Sequence, residues 1–470
     1  MEANWLSLLP SLLAIIFAIV TRRVLLALIG GIILANILLF WPQPMAIAEQ
    51  SLVAAWQSLS DANNVLVWFF TLGIGALFGV LERGGTFSHF VMALERRQWV
   101  DSPRRARLFT WIMGVVVFIE SNVTIMIAGT TSRPVYDRLR IAREKLAYIV
   151  DSTCAPICIL IPLNAWGAFN LTIIGNQGVS DPLGTFITSL GFSFYAIFAV
   201  LLALLVAWFD WNLGPMKAAE RRAKHGQVEV KQPQPGSQAG HHSSAAKGAG
   251  AVWVVVASLV SMVVLVPLLL LWTGDGVLTQ GDGTLSVFLA IYSALAIALV
   301  GTYWTLNRGG WALLKDAVAG ARKILPLAVI LWLSITLGDM TKALQTGQYL
   351  ASILDQSVSL WALLPLIFII SGLTGFSIGS SWGTFAIMLP LAIPLALSLG
   401  LPPAPFIAAA ISGGIFGDHA SPISDTTIIA SMASGTEHID HVATQLPYAM
   451  VAGMASVIAY AATGWWLMAV

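Results

Sequence analysis

Between two apolar runs, Phe406 to Ile411 and Ile428 to Met432, the chain places Asp418, His419, Ser421, Ser424, Asp425, Thr426 and Thr427. Neither flank alone reaches the ~20 residues that a membrane span needs, so the polar stretch reads as embedded together with them. An ionisable side chain at that depth costs at least ~2.5 kcal/mol, and groups retained against such a cost are expected to act. Pro422 has no N–H to give to the carbonyl of Asp418, and with Gly417 close by the helix is expected to unwind here. Freed carbonyls, hydroxyls and two carboxylates would then converge, and irregular backbone at that depth is tolerated only inside protein or along a wet cavity. That chemistry is a cation site, with Asp418 and Asp425 as the metal (Na⁺) ligands, His419 as a titrating or orienting group, and Ser421, Ser424 and Thr426 as neutral oxygens.

Such a site needs a membrane scaffold, and the composition supplies one. Of 470 residues, 57% are hydrophobic and 10% charged, against about 25% charged in a soluble domain. The expected class is an all-α polytopic membrane protein of the plasma membrane, or of the inner membrane if the source is bacterial. A net charge of +1 gives no reason to expect a nucleic-acid partner. The two cysteines, Cys154 and Cys158, are too few for a structural zinc site. No nucleotide or cofactor motif appears, so the expected cofactors are none and the expected partners are Na⁺, H⁺ and membrane lipid, with a homodimer as a candidate assembly. Trp5 to Val20 follows no basic region and reads as a retained first span.

Apolar runs divide the chain into about 10 transmembrane helices plus two interrupted stretches, Leu108 to Thr131 and Leu360 to Leu399. All but one of the 24 Lys and Arg fall in five clusters: Arg22 to Arg23, Arg83 to Arg107, Arg133 to Lys145, Lys217 to Lys247 and Arg308 to Lys323. Positive loops stay cytoplasmic. For all five to do so, Leu108 to Thr131 must be a re-entrant hairpin from the cytoplasm and Leu360 to Leu399 one from outside, with both termini outside. Residues 1–211 then form a first repeat, 212–250 a polar cytoplasmic linker holding His241 and His242, and 251–470 a second, inverted repeat. Arg83 to Arg107 reads as an amphipathic helix on the membrane surface.

The halves align by eye in three places. Gly75–Gly84 lies over Gly338–Gly347 at an offset of 263, the hairpin tips Ser121–Thr124 over Ser381–Thr384 at 260, and Ala155–Cys158 over Ser421–Ser424 at 266. The last match predicts a helix broken at Pro156 opposite the one broken at Gly417 and Pro422. Each half would thus bring one hairpin and one broken helix to the midplane. Glu120, Ser121, Asn122, Thr124, Ser381 and Thr384 are the tip residues, and Asp151 adds a carboxylate from the first half. No Lys or Arg lies within any span, so the embedded acids must take up protons or metal cations to be tolerated.

Gly417 to Thr427, Gly-Asp-His-Ala-Ser-Pro-Ile-Ser-Asp-Thr-Thr, resembles the signature Gly-Asp-His-x-Ser-Pro-Ile-Ser-Asp-Thr-Thr of the NhaC-type Na⁺/H⁺ antiporter family, with Ala420 at the variable place. The plan of hairpins and broken helices resembles the wider ion-transporter superfamily. The resemblance implies a secondary active transporter, not an enzyme, that exchanges Na⁺ for H⁺ by alternating access in the service of pH homeostasis. The alternative within the same fold is cation-coupled transport or exchange of a small organic anion or amino acid. A hydrolase using His419 with both acids is disfavoured because no HExxH-like or Gly-x-Ser-x-Gly spacing is present.

The charge placement makes a first prediction. Single cysteines introduced within 212–250 and within 83–107 should resist an impermeant thiol reagent applied to intact cells and react in inverted vesicles. Labelling of either from outside would overturn the topology and the inversion with it.

Overall fold

The computed structural model describes residues 4–60, 62–86, 89, 101–118, 121–161, 164–226, 248–277, 281–349, 352 and 360–469. Glu120, His241, His242 and most of 83–107 lie outside them. Among the described residues every regular element is helical. The first half contains α1 (Leu9–Thr21), α2 (Val24–Phe40), α3 (Pro44–Ser60), α4 (Ala62–Arg83), α5 (Pro103–Val116), α6 (Ser121–Arg138), α7 (Arg143–Leu160), α8 (Ala165–Asn176), α9 (Pro182–Gly191) and α10 (Phe194–Phe209). After α11 (Met216–Lys224) come α12 (Gly248–Thr273), α13 (Gly283–Leu306), α14 (Gly310–Ala343), α15 (Leu360–Ile378), α16 (Ser381–Ser398), α17 (Pro403–Ala420), α18 (Asp425–Ser434) and α19 (His438–Ala469).

Seven of these, α4, α12, α13, α14, α15, α16 and α19, are long and apolar enough to cross a membrane, and α9 with α10 forms an eighth bent by 43°. The apolar α1 and α2 are shorter. Absent from that set are α7 and α17, 18 residues each, which carry Asp151 and the Asp418–His419 pair. The polar helices lie deepest: nearly every residue of both is buried.

Helix starts recur at a constant interval of 260 residues. Ser121 and Ser381 open α6 and α16, Arg143 and Pro403 open α7 and α17, and Ala165 and Asp425 open α8 and α18. The ends agree, with Arg83 closing α4 and Ala343 closing α14. This single register replaces the sequence matches at 263 and 266. It also corrects the first break: Pro156 sits inside the continuous α7, and the chain leaves the helix after Leu160. Gly417 likewise stays inside α17, so only Pro422 of the three expected breakers lies in a break. What ends each first segment is followed by a polar cap on the second, Asn164 before α8 and Ser424 before α18, whose side chains accept the exposed N–H groups of the next turn.

Gly417 serves close approach instead. A Cβ there would stand 2.1 Å from the carbonyl oxygen of Gly372 and 2.5 Å from the Phe376 nitrogen, so α17 and α15 touch backbone to backbone. Gly375 answers from α15, where a Cβ would fall 2.7 Å from the Gly414 oxygen. Small residues at a helix interface give membrane helices the packing that lipid cannot drive.

The stretch expected to be a linker begins with packed structure. Helix α11 buries Met216, Ala219 and Ala223 against α7, α10 and Tyr448 of α19. Its Glu220 meets Lys145, which has no exposed side-chain surface, at 2.7 Å. Lys145 also pairs with Asp210, which Arg107 approaches at 3.3 Å. Two of the basic residues on which the expected topology rests, Arg107 and Lys145, are thus held in an ionic cluster at the start of α7.

Gly417→Ala should lower the melting temperature of the purified protein in detergent, because overpacking a closed interface costs about 1–3 kcal/mol or more. An unchanged melt would mean that α15 and α17 separate freely.

Candidate functional site

The second break places Asp418 at the end of α17 and the α16 N-terminus in front of it. Asp418 is buried, and its Oδ2 accepts from the Ser381 hydroxyl at 2.6 Å and the Ser381 N–H at 3.2 Å. A carboxylate in this position also meets the positive end of the helix dipole. The other oxygen, Oδ1, is buried and makes no hydrogen bond of normal geometry, although the Ser424 hydroxyl acts on the same carboxylate. The hairpin tip is pressed onto the break at Gly379, which has φ +68° and where a Cβ would lie 2.7 Å from the Ile423 oxygen.

The carbonyls of the break are mostly taken. The Ser421 N–H donates to the Asp418 oxygen at 3.0 Å, Gln445 Nε2 donates to the His419 oxygen at 2.7 Å, and His438 Nε2 lies 2.6 Å from the Pro422 oxygen. The Ser421 hydroxyl donates to the Phe376 oxygen of α15 at 2.7 Å. The expectation of free carbonyl ligands is corrected: unwinding frees them, and side chains from neighbouring helices recapture them. Ser424 and Thr426 share a hydroxyl contact at 2.9 Å beside the cap.

His419 has a role other than orienting Asp418. Its Nε2 lies 3.2 Å from the Ser152 hydroxyl of α7 and its Nδ1 2.7 Å from the Tyr195 hydroxyl of α10. Both ring nitrogens are therefore engaged, and the ring ties three helices together.

Asp151 forms a second centre. Its Oδ2 accepts from Gln445 Nε2 at 2.7 Å and the Thr427 hydroxyl at 3.1 Å, with His441 Nε2 at 3.4 Å. Gln445 thus bridges Asp151 to the backbone of His419. Asp151 and His441 are fully enclosed, whereas Asp425, the first residue of α18, is exposed, its Oδ1 accepting the Thr426 N–H at 3.0 Å. Asp151, Asp418 and Asp425 lie close enough to act on one another's charge. Among the described residues no three His, Cys, Asp or Glu side chains form a metal-binding group, so a cation here would depend on few acids and several neutral oxygens.

The tips contribute unequally. Ser381 holds Asp418. Thr384 donates to the Ser380 oxygen at 2.9 Å and Thr124 to the Val117 oxygen, each within its own hairpin. Ser121 is buried, and Asn122 keeps a buried Oδ1 without a hydrogen-bond partner. At the 260 register Cys158 is the counterpart of Asp418, and its thiol donates to the Phe118 oxygen of the first tip at 3.2 Å. Each broken helix therefore touches the hairpin of its own half, one through a thiol and the other through a carboxylate.

Residues 173–465 match the family described as the Na⁺/H⁺ antiporter family. An uncharacterized protein of Haemophilus influenzae is 30% identical over 97% of this chain and 90% of its own. The chain belongs to the Na⁺/H⁺ antiporter family. Shorter matches, each over 21% of the chain, join it to the arginine/ornithine antiporter ArcD of Halobacterium salinarum (38% identical, 21% of that protein) and the malate-2H⁺/Na⁺-lactate antiporter of Bacillus subtilis (36%, 22% of that protein). The fold is shared with two solved structures. MtrF of Neisseria gonorrhoeae, from a class of antimetabolite efflux pumps, aligns with TM-score 0.57 and 14% identity over 88% of this chain and 84% of its own. The YdaH transporter of Alcanivorax borkumensis aligns with TM-score 0.61 and 16% identity over 96% and 98%.

Within this antiporter-family site, Asn164, His441, Gln445, Ser152 and Tyr195 escaped the sequence reading. His441 and Gln445 fall in what reads as a loop before Leu446, yet α19 starts at His438 and places both, four apart, on one face. Asn164 is the busiest. Its Oδ1 caps α8 by accepting from Trp166 and Gly167, and its Nδ2 lies 2.8–3.0 Å from the oxygens of Cys158, Ile161 and Phe118. Asn164→Asp keeps the cap but turns an acceptor toward three carbonyls. It should destabilise the purified protein at least as much as Asn164→Ala, by about 1–3 kcal/mol for buried groups left unpaired; a wild-type melt for Asn164→Asp would show that only the cap matters.

Proposed function

We propose that this antiporter-family chain exchanges Na⁺ for H⁺ by alternating access, with Asp418 as the residue that carries one or the other. The observation that supports it most is the Asp418 Oδ1, a buried carboxylate oxygen with no hydrogen bond of normal geometry in a region without Lys or Arg. A charge left so would cost several kcal/mol, and a proton or a hard cation removes the cost. One carboxylate cannot hold both ions. If the repeat is inverted, tilting the second hairpin against α17 would open Asp418 to one side and then the other. Exposed Asp425 and the free Oδ1 of Asn122 would receive the cation first, and Asp151, held by three polar neighbours, would fix α18 to α7.

A second reading is exchange coupled to an organic anion or amino acid, which the names of the arginine/ornithine and malate/lactate relatives favour. The buried basic side chains Arg107, Arg143 and Lys145 are already paired with Asp210, Asp137 and Glu220, so such a solute would meet helix N-termini and tip hydroxyls instead.

Dequenching of a pH dye in inverted vesicles tests both. Asp418→Asn keeps size and hydrogen bonding yet removes the titration, so exchange should fall at least ~10-fold, or more than about 1.4 kcal/mol of coupling, with normal protein in the membrane. Asp425→Asn should leave residual exchange with weaker apparent Na⁺ affinity. In wild type, apparent Na⁺ affinity should fall as pH is lowered, because protons compete. Normal exchange in both variants, or an affinity independent of pH, would refute the coupling role. No response to any alkali cation, together with uptake of a carboxylate or amino acid, would establish the second reading.

A further inference from the structure

We infer that one face of α8 lines an access path, closed in this structure and filled by water when it opens, by which hydrated ions reach the Asp418 site from the membrane surface where α8 ends. Trp166, Asn170 and Gln177 are spaced by four and seven residues and so share one face of the helix. All three are sealed, at 1%, 0% and 3% exposure, yet Trp166 Nε1, Asn170 Oδ1, and both Gln177 Oε1 and Nε2 have no hydrogen-bond partner. Four such atoms at about 1–3 kcal/mol each would consume a large share of the 5–15 kcal/mol by which proteins are stable. Polar occupants that bond to them remove that cost, and mixed donors and acceptors without charge suit water.

The ends of the stripe lie where a path requires them. Trp166 is two residues past the Asn164 cap, and its ring lies 4.5 Å from that of Trp382, the neighbour of Ser381 that holds Asp418. Gln177 closes α8, next to exposed Gly178 and to Asn176, whose carbonyl accepts from partly exposed Lys342. From Trp166 to Gln177 the helix rises about 16 Å, roughly half the ~30 Å hydrocarbon thickness. Gln177 also packs directly on α14, where a Cβ on Gly338 would stand 2.3 Å from its Nε2 and 3.6 Å from Pro390 of α16. The path therefore runs between α8, α14 and α16.

This rests on the reading of Asp418 as the ion site, but a labelling experiment reports the path whatever the ion. Asn170→Cys, Gln177→Cys and, on the opposite face, Ala168→Cys are made in the full-length chain. They are treated with a cationic, impermeant methanethiosulfonate in right-side-out and inverted vesicles, with the unmodified chain as background for buried Cys154 and Cys158. Thiol reaction follows access, so positions 170 and 177 should react at least ~10-fold faster than 168, and from one membrane face only. Equal rates at 170 and 168 from both faces would overturn the path. Should a variant fail to fold, hydroxyl-radical footprinting of the wild-type protein decides: Trp166 should be oxidised more than Tyr460, equally buried but bonded to the Phe192 oxygen, after correction for intrinsic reactivity. Protection of both rings alike would refute the proposal even if exchange itself is confirmed.

Discussion

The Asp418 carboxylate faces the first turn of α16, where the Ser381 N–H and hydroxyl hold one oxygen and leave the other without a hydrogen bond of normal geometry. Much of the second half is arranged to permit that half-satisfied group. Glycine contacts bring α17 against α15 so that the end of α17 meets the tip between α15 and α16. The break after Ala420 turns the chain away just past the carboxylate, and Ser424 caps the helix that leaves. A fully bonded aspartate there would be a structural rivet; a half-bonded one is open to exchange with an ion.

The surrounding polar groups have the opposite character. His419 is engaged at both nitrogens, Gln445 bridges Asp151 to the His419 carbonyl, and the Pro422 carbonyl of the break meets His438. Satisfied networks of this sort fix geometry, because each broken bond would strand a partner in a medium of low dielectric. The Asp418 Oδ1 is not alone, since Asn122 Oδ1, Gln445 Oε1 and His441 Nδ1 are also buried without a hydrogen bond.

The polar centre itself was legible in the sequence, because charges in an apolar run have no cheap explanation. The all-helical class and the family followed from the same stretch. The register of the repeat was not, because proline was taken as the breaker. Pro156 lacks an N–H but stays within α7, whereas the actual ends are marked by Asn164 and Ser424, whose capping role depends on where the chain turns. His441 and Gln445 escape for a related reason: they lie outside any apolar run, although burial against α7 and α17 makes them part of the first turns of α19. Hydropathy finds lipid-facing helices, and the residues that matter here are enclosed by protein.

The two half-helices that follow the breaks complete the picture. Around α18, Thr427 and Ser431 lie on the helix and His438 opens α19. On the α18 side the protein bonds its own polar groups: Thr427 to Asp151, Ser431 to His438, and His438 to the Pro422 carbonyl. On the α8 side Trp166 Nε1, Asn170 Oδ1 and the Gln177 amide have no partner, and the same is true of Ser434 Oγ on α18. Helices related by the 260-residue interval thus differ in how far the protein satisfies their polar groups.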